Sequence, residues 1–151
     1  MVKTHLPAHM DSVRQKCRPK HQLLILKCYP RLPKNSSADV KPNGSELSYL
    51  LYYASTRRSK LNKIGGYLEK KTSRDVYNQQ SARVFVTLQI MTALLENKGV
   101  GEGSGFALIA PYVMHILSDI LRNTNDLSLI EGSQATWNVF CRHQDLSLIH
   151  I

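Results

Sequence analysis

The sequence predicts an all-α chain of antiparallel helices stacked side by side. Three observations predict it. Apolar residues recur at three- and four-residue spacing in segment after segment, the connectors between those segments are short and rich in Gly, Pro, Ser or Asn, and no stretch alternates convincingly like a strand. With 151 residues, 42% hydrophobic and 21% charged, the chain has the usual globular mix and enough length for a real core.

Residues 1–19 read as a flexible basic arm, broken by Pro7 and Pro19. From Lys20 to Tyr29 the residues Leu23, Leu24, Ile25, Leu26 and Tyr29 predict a short, mostly buried helix ended by Pro30, although the compact run Leu23–Leu26 also fits a strand. Residues 30–44 form a loop. Ser45 is the expected N-cap of a helix to about Ser55, where Leu47, Leu50, Leu51 and Ala54 share one face. Tyr49, Tyr52 and Tyr53 follow the same pattern, so interface packing explains them more simply than a base-stacking platform.

Ser59 is expected to cap the next helix, whose Leu61, Ile64 and Leu68 line one face and leave Lys60, Lys63, Lys70 and Lys71 largely elsewhere. Gly65-Gly66 inside it points to a close helix approach or a kink, since each glycine costs about 1 kcal/mol relative to alanine in a helix interior. After Ser73-Arg74-Asp75 a long helix is predicted from Gln79 to Asn97, with Val84, Leu88, Met91 and Leu95 as its stripe. Gly99, Gly101, Gly103 and Gly105 read as a loop that lacks the spacing of a phosphate cradle.

A further helix covers about Phe106 to Arg122, with Pro111 near its first turn and Ile109, Val113, Ile116, Leu117 and Ile120 facing the core. Ser128 with Glu131 reads as a capping box opening the last helix, which carries Trp137 and Phe140. Stacked antiparallel pairs of this kind give an armadillo- or HEAT-type solenoid, but without a clean internal repeat a simple helical bundle fits the periodicity equally well. The longest uninterrupted apolar runs fall far short of the roughly 20 residues that span a bilayer, so no transmembrane helix is expected.

The net charge of +9 is unevenly spread. Residues 1–75 hold 16 Lys and Arg against 5 Asp and Glu, a net +11, while residues 76–151 hold 4 against 6, a net −2. Arg14, Lys16, Arg18, Lys20, Lys27, Arg31 and Lys34 occur with no acid between Asp11 and Asp39. Such a field attracts an extended anion, either an acidic membrane leaflet or a nucleic-acid backbone, and the seven cations are the candidate lipid-binding residues. A second cluster, Arg57, Arg58, Lys60, Lys63, Lys70 and Lys71, is equally well read as a solvated helix face.

Enzymatic chemistry has no local signature. No catalytic motif, metal-ligand spacing or cofactor-binding motif is present, so catalytic residues, metals and cofactors are all expected to be none. His115 reads as a partly buried structural histidine, and Cys28 and Cys141 as core thiols. Cys17 differs: it lies in the arm among Lys16, Arg18 and Lys20 and is a candidate for reaction or lipidation.

Several stretches, taken together, resemble the eighty-five-requiring/Rolling blackout family in its fungal form. They are Cys17-Arg-Pro-Lys-His-Gln22, Leu24–Pro30 (LILKCYP), Ser45–Arg58 (SELSYLLYYASTRR), Lys60-Leu61 with Ile64-Gly-Gly-Tyr-Leu68, Ser73-Arg-Asp-Val76, and Val86–Leu95 (VTLQIMTALL). The resemblance spans about residues 14–143 and rests on the order and spacing of the pieces. It implies a peripheral scaffold on the cytoplasmic face of the plasma membrane: a rod of helical repeats whose basic N-terminal end binds acidic phospholipids and which recruits a phosphatidylinositol 4-kinase complex through its C-terminal part.

Animal members carry palmitoylated cysteines near the N-terminus, and here only Cys17 stands in the arm. On this reading residues 20–145 are the N-terminal fragment of a longer rod, and 146–151 (LSLIHI) a non-native tail resembling translated sequencing-adapter read-through. The function expected is that of a non-enzymatic membrane adaptor. The competing reading of the same basic field is a helical nucleic-acid-binding module, and no nucleic-acid partner is expected if the adaptor reading holds.

Overall fold

Pro19 starts the first helix. Its ring presets the backbone, and its carbonyl accepts from the amides of Gln22 and Leu23 at 3.0 and 3.2 Å. The computed structural model describes residues 17–32 and 40–149. Most of the arm, with Arg14 and Lys16, and the loop segment holding Lys34 lie outside the described residues.

Seven α-helices are present among the described residues: α1 (Lys20–Lys27), α2 (Gly44–Thr56), α3 (Leu61–Tyr77), α4 (Ser81–Glu96), the short α5 (Lys98–Gly101), α6 (Gly103–Asn123) and α7 (Leu127–Ile149). A 3₁₀ turn, Arg58–Lys60, joins α2 to α3. No strand occurs among the described residues, so the run Leu23–Leu26 is helical.

The helices alternate in direction and form two layers. In one layer α3 packs between α1 and α6; in the other α4 packs between α2 and α7, and α6 and α7 close the far side. Successive antiparallel pairs thus stack along one axis, the arrangement of a helical solenoid rather than a closed bundle.

The predicted stripes supply the core. Val84, Leu88, Met91 and Leu95 of α4 are buried, as are Ile109, Val113, Ile116, Leu117 and Ile120 of α6. Nine of the 16 residues of α4 are buried, which makes it the central element. Phe140 of α7 is inserted between Phe106 and Trp137, with ring centroids 5.2 and 5.4 Å away. Gly65 is the close approach its sequence suggests: a Cβ there would lie 2.4 Å from the ring of Tyr112 on α6.

Several boundaries differ from the sequence reading. Asn43, not Ser45, is the N-cap of α2, and its side-chain amide donates to the Lys27 carbonyl at 2.8 Å, tying the two helices together. Ser59 lies in the 3₁₀ turn, so α3 starts at Leu61. It then continues through Ser73-Arg74-Asp75 to Tyr77, because the polar residues Thr72 and Asp75 on its buried side find partners: Thr72 Oγ1 donates to the Leu68 carbonyl at 2.7 Å, and Asp75 pairs with Lys71.

The glycine-rich segment is not a loop. Asn97 Oδ1 accepts from the Gly99 amide at 3.0 Å and starts α5, which folds back tightly onto the end of α4. Gly103 then adopts φ +60°, a left-handed conformation suited to glycine, where α6 begins. Pro111 consequently sits inside α6 rather than in its first turn.

The cap of α7 is Asp126, two residues before Ser128: its Oδ1 accepts from the Ser128 amide at 3.0 Å, and its carbonyl accepts from the Ile130 amide at 3.0 Å. α6 also extends to 21 residues, further than any uninterrupted apolar run in the sequence. By length and composition it is apolar enough to cross a bilayer, although here its apolar stripe packs against α3 and α7.

Candidate functional site

Four of the basic residues, Lys20, Arg57, Lys60 and Lys63, gather at the start of the stack. α1 runs away from its N-terminus at Lys20 and α2 returns, so the end of α2, the 3₁₀ turn and the start of α3 gather beside Lys20. Lys20 Nζ lies 5.6 Å from the ring centroid of Tyr53, and the Arg57 guanidinium carbon lies 5.3 Å from the same centroid. Two cations, one from each basic cluster of the sequence, therefore share one largely buried aromatic ring.

Lys60 and Lys63 extend the group. His21 is buried beneath them, edge-on to Tyr67, and burial, then the charges of Lys63 and Lys60, hold its imidazole below the ordinary histidine value. None of Lys20, Arg57, Lys60 or Lys63 forms an ion pair among the described residues.

Arg18, Lys27 and Arg31 are exposed. Lys20 and Lys27 are seven positions apart, which places them on the same side of α1 about 10 Å apart along its axis. The outer side of the first hairpin thus carries cations at both ends.

The second cluster is divided by the fold. Lys71 turns inward: its ammonium lies 3.1 Å from Asp75 Oδ2 and 4.2 Å from the centroid of the Tyr29 ring. Burial pulls its pKa down, against the opposing pull of Asp75. Arg58 donates to Ser104 Oγ and so anchors the 3₁₀ turn to α6.

The tyrosines also separate. Tyr53 packs in the core as expected, but Tyr49 and Tyr52 are 63% and 71% exposed. The interface-packing explanation fails for these two, because residues 49 and 52 fall on the outer side of α2. His115 is exposed too, with Nδ1 3.7 Å from Glu69 Oε1, rather than partly buried.

The three cysteines are graded by burial. Cys17 is exposed, Cys141 is only partly buried rather than a core thiol, and Cys28 is fully buried with its Sγ donating to the Leu24 carbonyl at 3.3 Å. Burial pushes the Cys28 thiol from its ordinary value of 9.0 up to about 12. A thiol-directed maleimide is expected to modify Cys17 first, Cys141 slowly, and Cys28 only on unfolding, as intact-mass analysis over time will show. Because the folded pKa is raised, the stabilising contribution of Cys28 is fully present below pH 9 and is lost as pH rises towards 12.

Comparison with known proteins identifies relatives of the chain. A family model described as EFR3 protein matches residues 20–150. Protein EFR3 of Gibberella zeae is 51% identical over 140 residues, covering 93% of this chain and 12% of that protein. Protein EFR3 of Coccidioides immitis is 53% identical over 136 residues, covering 90% and 10% respectively. A solved structure titled crystal structure of Efr3 matches with a TM-score of 0.73 and 33% identity, covering 83% of this chain and 23% of that one. The chain spans about 12% of the length of the curated relatives it matches.

Proposed function

The chain belongs to the EFR3 protein family, and on that premise we propose that it is the N-terminal helical unit of a peripheral plasma-membrane scaffold whose basic first hairpin binds acidic phospholipids of the cytoplasmic leaflet. The role is non-enzymatic. The observation that carries it is the convergence of Lys20 and Arg57 over Tyr53, with Lys60 and Lys63 beside them and no ion pair among the described residues to neutralise the four.

Arg18, Lys27 and Arg31, and the arm and loop cations Arg14, Lys16 and Lys34, add to the same field in this reading. Acylation of Cys17 is compatible with it, because the thiol is exposed next to Arg18 and Lys20. Recruitment of a phosphatidylinositol 4-kinase complex we assign to the longer protein, in the length its relatives have beyond the matched stretch.

A basic side chain near an anionic leaflet contributes about 1 kcal/mol. Four give about 4 kcal/mol at most, and imperfect contact reduces this to about 3 kcal/mol, or roughly 100-fold in affinity. Co-sedimentation tests this directly. The chain is expected to bind phosphatidylserine vesicles but not neutral phosphatidylcholine vesicles, and the variant K20S/R57S/K60S/K63S to bind the former about 100-fold more weakly. Equal binding of the native chain to both kinds of vesicle would remove the lipid claim.

A further inference from the structure

Four hydroxyl side chains stand within or beside the basic group, and three of them are already engaged. Ser55 Oγ donates to the Tyr52 carbonyl at 2.9 Å, Thr56 Oγ1 donates to the same carbonyl at 2.8 Å, and Ser104 Oγ accepts from Arg58. Ser59 is the fourth. It is exposed in the 3₁₀ turn between α2 and α3, and its hydroxyl makes no hydrogen bond among the described residues.

The charge around it is of one sign. Ser59 follows Arg57 and Arg58 directly, precedes Lys60, and has Lys63 four positions on, with no acid between Glu46 and Glu69. The turn itself is light: the Lys60 amide donates to the Arg57 carbonyl at 2.9 Å, and the Leu61 amide to the Arg58 carbonyl. Opening it to present Ser59 breaks little structure.

We propose that Ser59 is a phosphorylation site for a protein kinase with an acidic peptide groove, and that its phosphate switches off the attraction of the first hairpin for acidic membranes.

The proposal rests on the membrane reading above and adds regulation to it. In the reaction Ser59 Oγ attacks the γ-phosphorus of a nucleoside triphosphate supplied by the kinase. The Oγ–P bond forms, the bond from that phosphorus to the β,γ-bridging oxygen breaks, the diphosphate leaves, and the hydroxyl proton passes to the base of the kinase. Arg57 and Arg58 ahead of the acceptor supply the charge pattern that an acidic groove selects. Ser73 also follows two lysines, Lys70 and Lys71, but it lies within α3 and its hydroxyl donates to Asp119 Oδ2 at 2.9 Å, so it is a poorer acceptor.

A phosphoserine carries a charge of about −1.5 to −2 at neutral pH. It therefore cancels about half of the charge of Lys20, Arg57, Lys60 and Lys63. The fold should tolerate it, because α3 has neither a side-chain cap nor an acid in its first turn, and a phosphate there meets the positive end of the helix.

The full chain and Ser59→Ala are incubated with ATP, magnesium and the catalytic subunit of the cyclic-AMP-dependent kinase, mapped by phosphopeptide mass spectrometry, and co-sedimented with phosphatidylserine vesicles. The native chain should gain a phosphoryl group on Ser59 and then bind about tenfold more weakly, the effect of removing about two of the four cations. A phosphatase should restore binding, and raised salt should narrow the difference. Unmodified Ser59→Ala should bind as the native chain does, and kinase treatment should not change its binding. Thermal unfolding of the phosphorylated chain should occur no lower than that of the unmodified one.

Transfer to Ser59 in the urea-unfolded chain after exchange into kinase buffer with a synthetic 53–63 peptide as positive control, but not in the folded chain, would overturn the site. Unchanged vesicle binding after stoichiometric modification would overturn the switch and leave the membrane reading standing, as would weaker binding accompanied by a lower unfolding temperature, which would trace the loss to unfolding. Absence of binding by the unmodified chain would remove the membrane reading and the switch with it, whatever the mass spectra show.

Discussion

Replacing Lys71 with methionine is expected to destabilise the protein by about 3 kcal/mol, towards the lower end of what breaking a buried ion pair costs. Asp75 is 2% exposed, and Lys71 is its partner at 3.1 Å. Removing the ammonium leaves a carboxylate between α3 and α4 that must stay charged without a counter-ion or take up a proton. The cation against the Tyr29 ring is lost as well.

For a chain of this length that corresponds to a fall in Tm of about 10 °C. The double variant K71M/D75L should recover most of the loss, because the cost lies in the stranded charge rather than in the missing attraction. Arg142→Ala, which breaks an exposed pair with Glu96 at 3.9 Å, should change stability by less than about 0.5 kcal/mol. Thermal unfolding of the four proteins checks the ordering, and a K71M protein as stable as the native one would show that Lys71 is not needed by Asp75. Since the folded pKa of Lys71 is lowered, the unfolded chain binds more protons below pH 10.5, and this residue's contribution makes stability rise with pH through that window.

Gly101→Ala is the second large effect. An added Cβ would lie 1.7 Å from the Leu95 carbonyl oxygen and 2.6 Å from its carbon, both backbone atoms that no side-chain rotation can move. The turn is fixed by the Gly101 amide donating to the Asn97 carbonyl at 2.7 Å, so relief requires α5 to separate from the end of α4. A loss of about 3 kcal/mol or more is expected, the range of the most damaging single substitutions. Gly44→Ala, with nothing within 4 Å of the added methyl, should be close to neutral. Denaturant unfolding will separate the two, and a stable Gly101→Ala protein would mean that the close approach is not required.

What the sequence conveyed and what it did not can be traced to range. The stripes of α4 and α6 were legible because helical periodicity is a property of the segment itself. Gly65 was legible because an unfavourable residue in a helix interior needs a steric reason, and Tyr112 is that reason.

Caps were less legible. Ser45, Ser59 and Ser128 each have the chemistry of a cap, but Asn43 and Asp126 stand where the chain enters the helix, and the start of α3 is set by the 3₁₀ turn. The polar triplet Ser73-Arg74-Asp75 looked like a break because burial of Asp75 makes sense only once Lys71 is seen beside it.

The candidate site lay beyond local reasoning. The stripe Leu47, Leu50, Leu51 and Ala54 already sets Tyr49 and Tyr52 on the far side of α2, whereas the burial of Tyr53 depends on α1 packing against α2. The meeting of Lys20 with Arg57 depends on the α1–α2 turn, and the withdrawal of Lys71 from the second cluster depends on α4 closing over α3. What composition did convey was the sign of the charge and the half of the chain that carries it.

Two natural reporters stand at opposite ends of the stack. Cys17 is exposed beside Lys20, and Trp137, the only tryptophan, is 41% exposed on α7 in the apolar groove it shares with Met114 and Leu121 of α6. With an environment-sensitive fluorophore on Cys17 in a Cys141→Ser background, binding to phosphatidylserine vesicles containing bromine-labelled acyl chains measures which end meets the bilayer. Quenching of the Cys17 probe with Trp137 emission unchanged is the predicted result. Quenching of Trp137 with the Cys17 probe unaffected would contradict a basic first hairpin facing the membrane and would assign that face to the groove between α6 and α7.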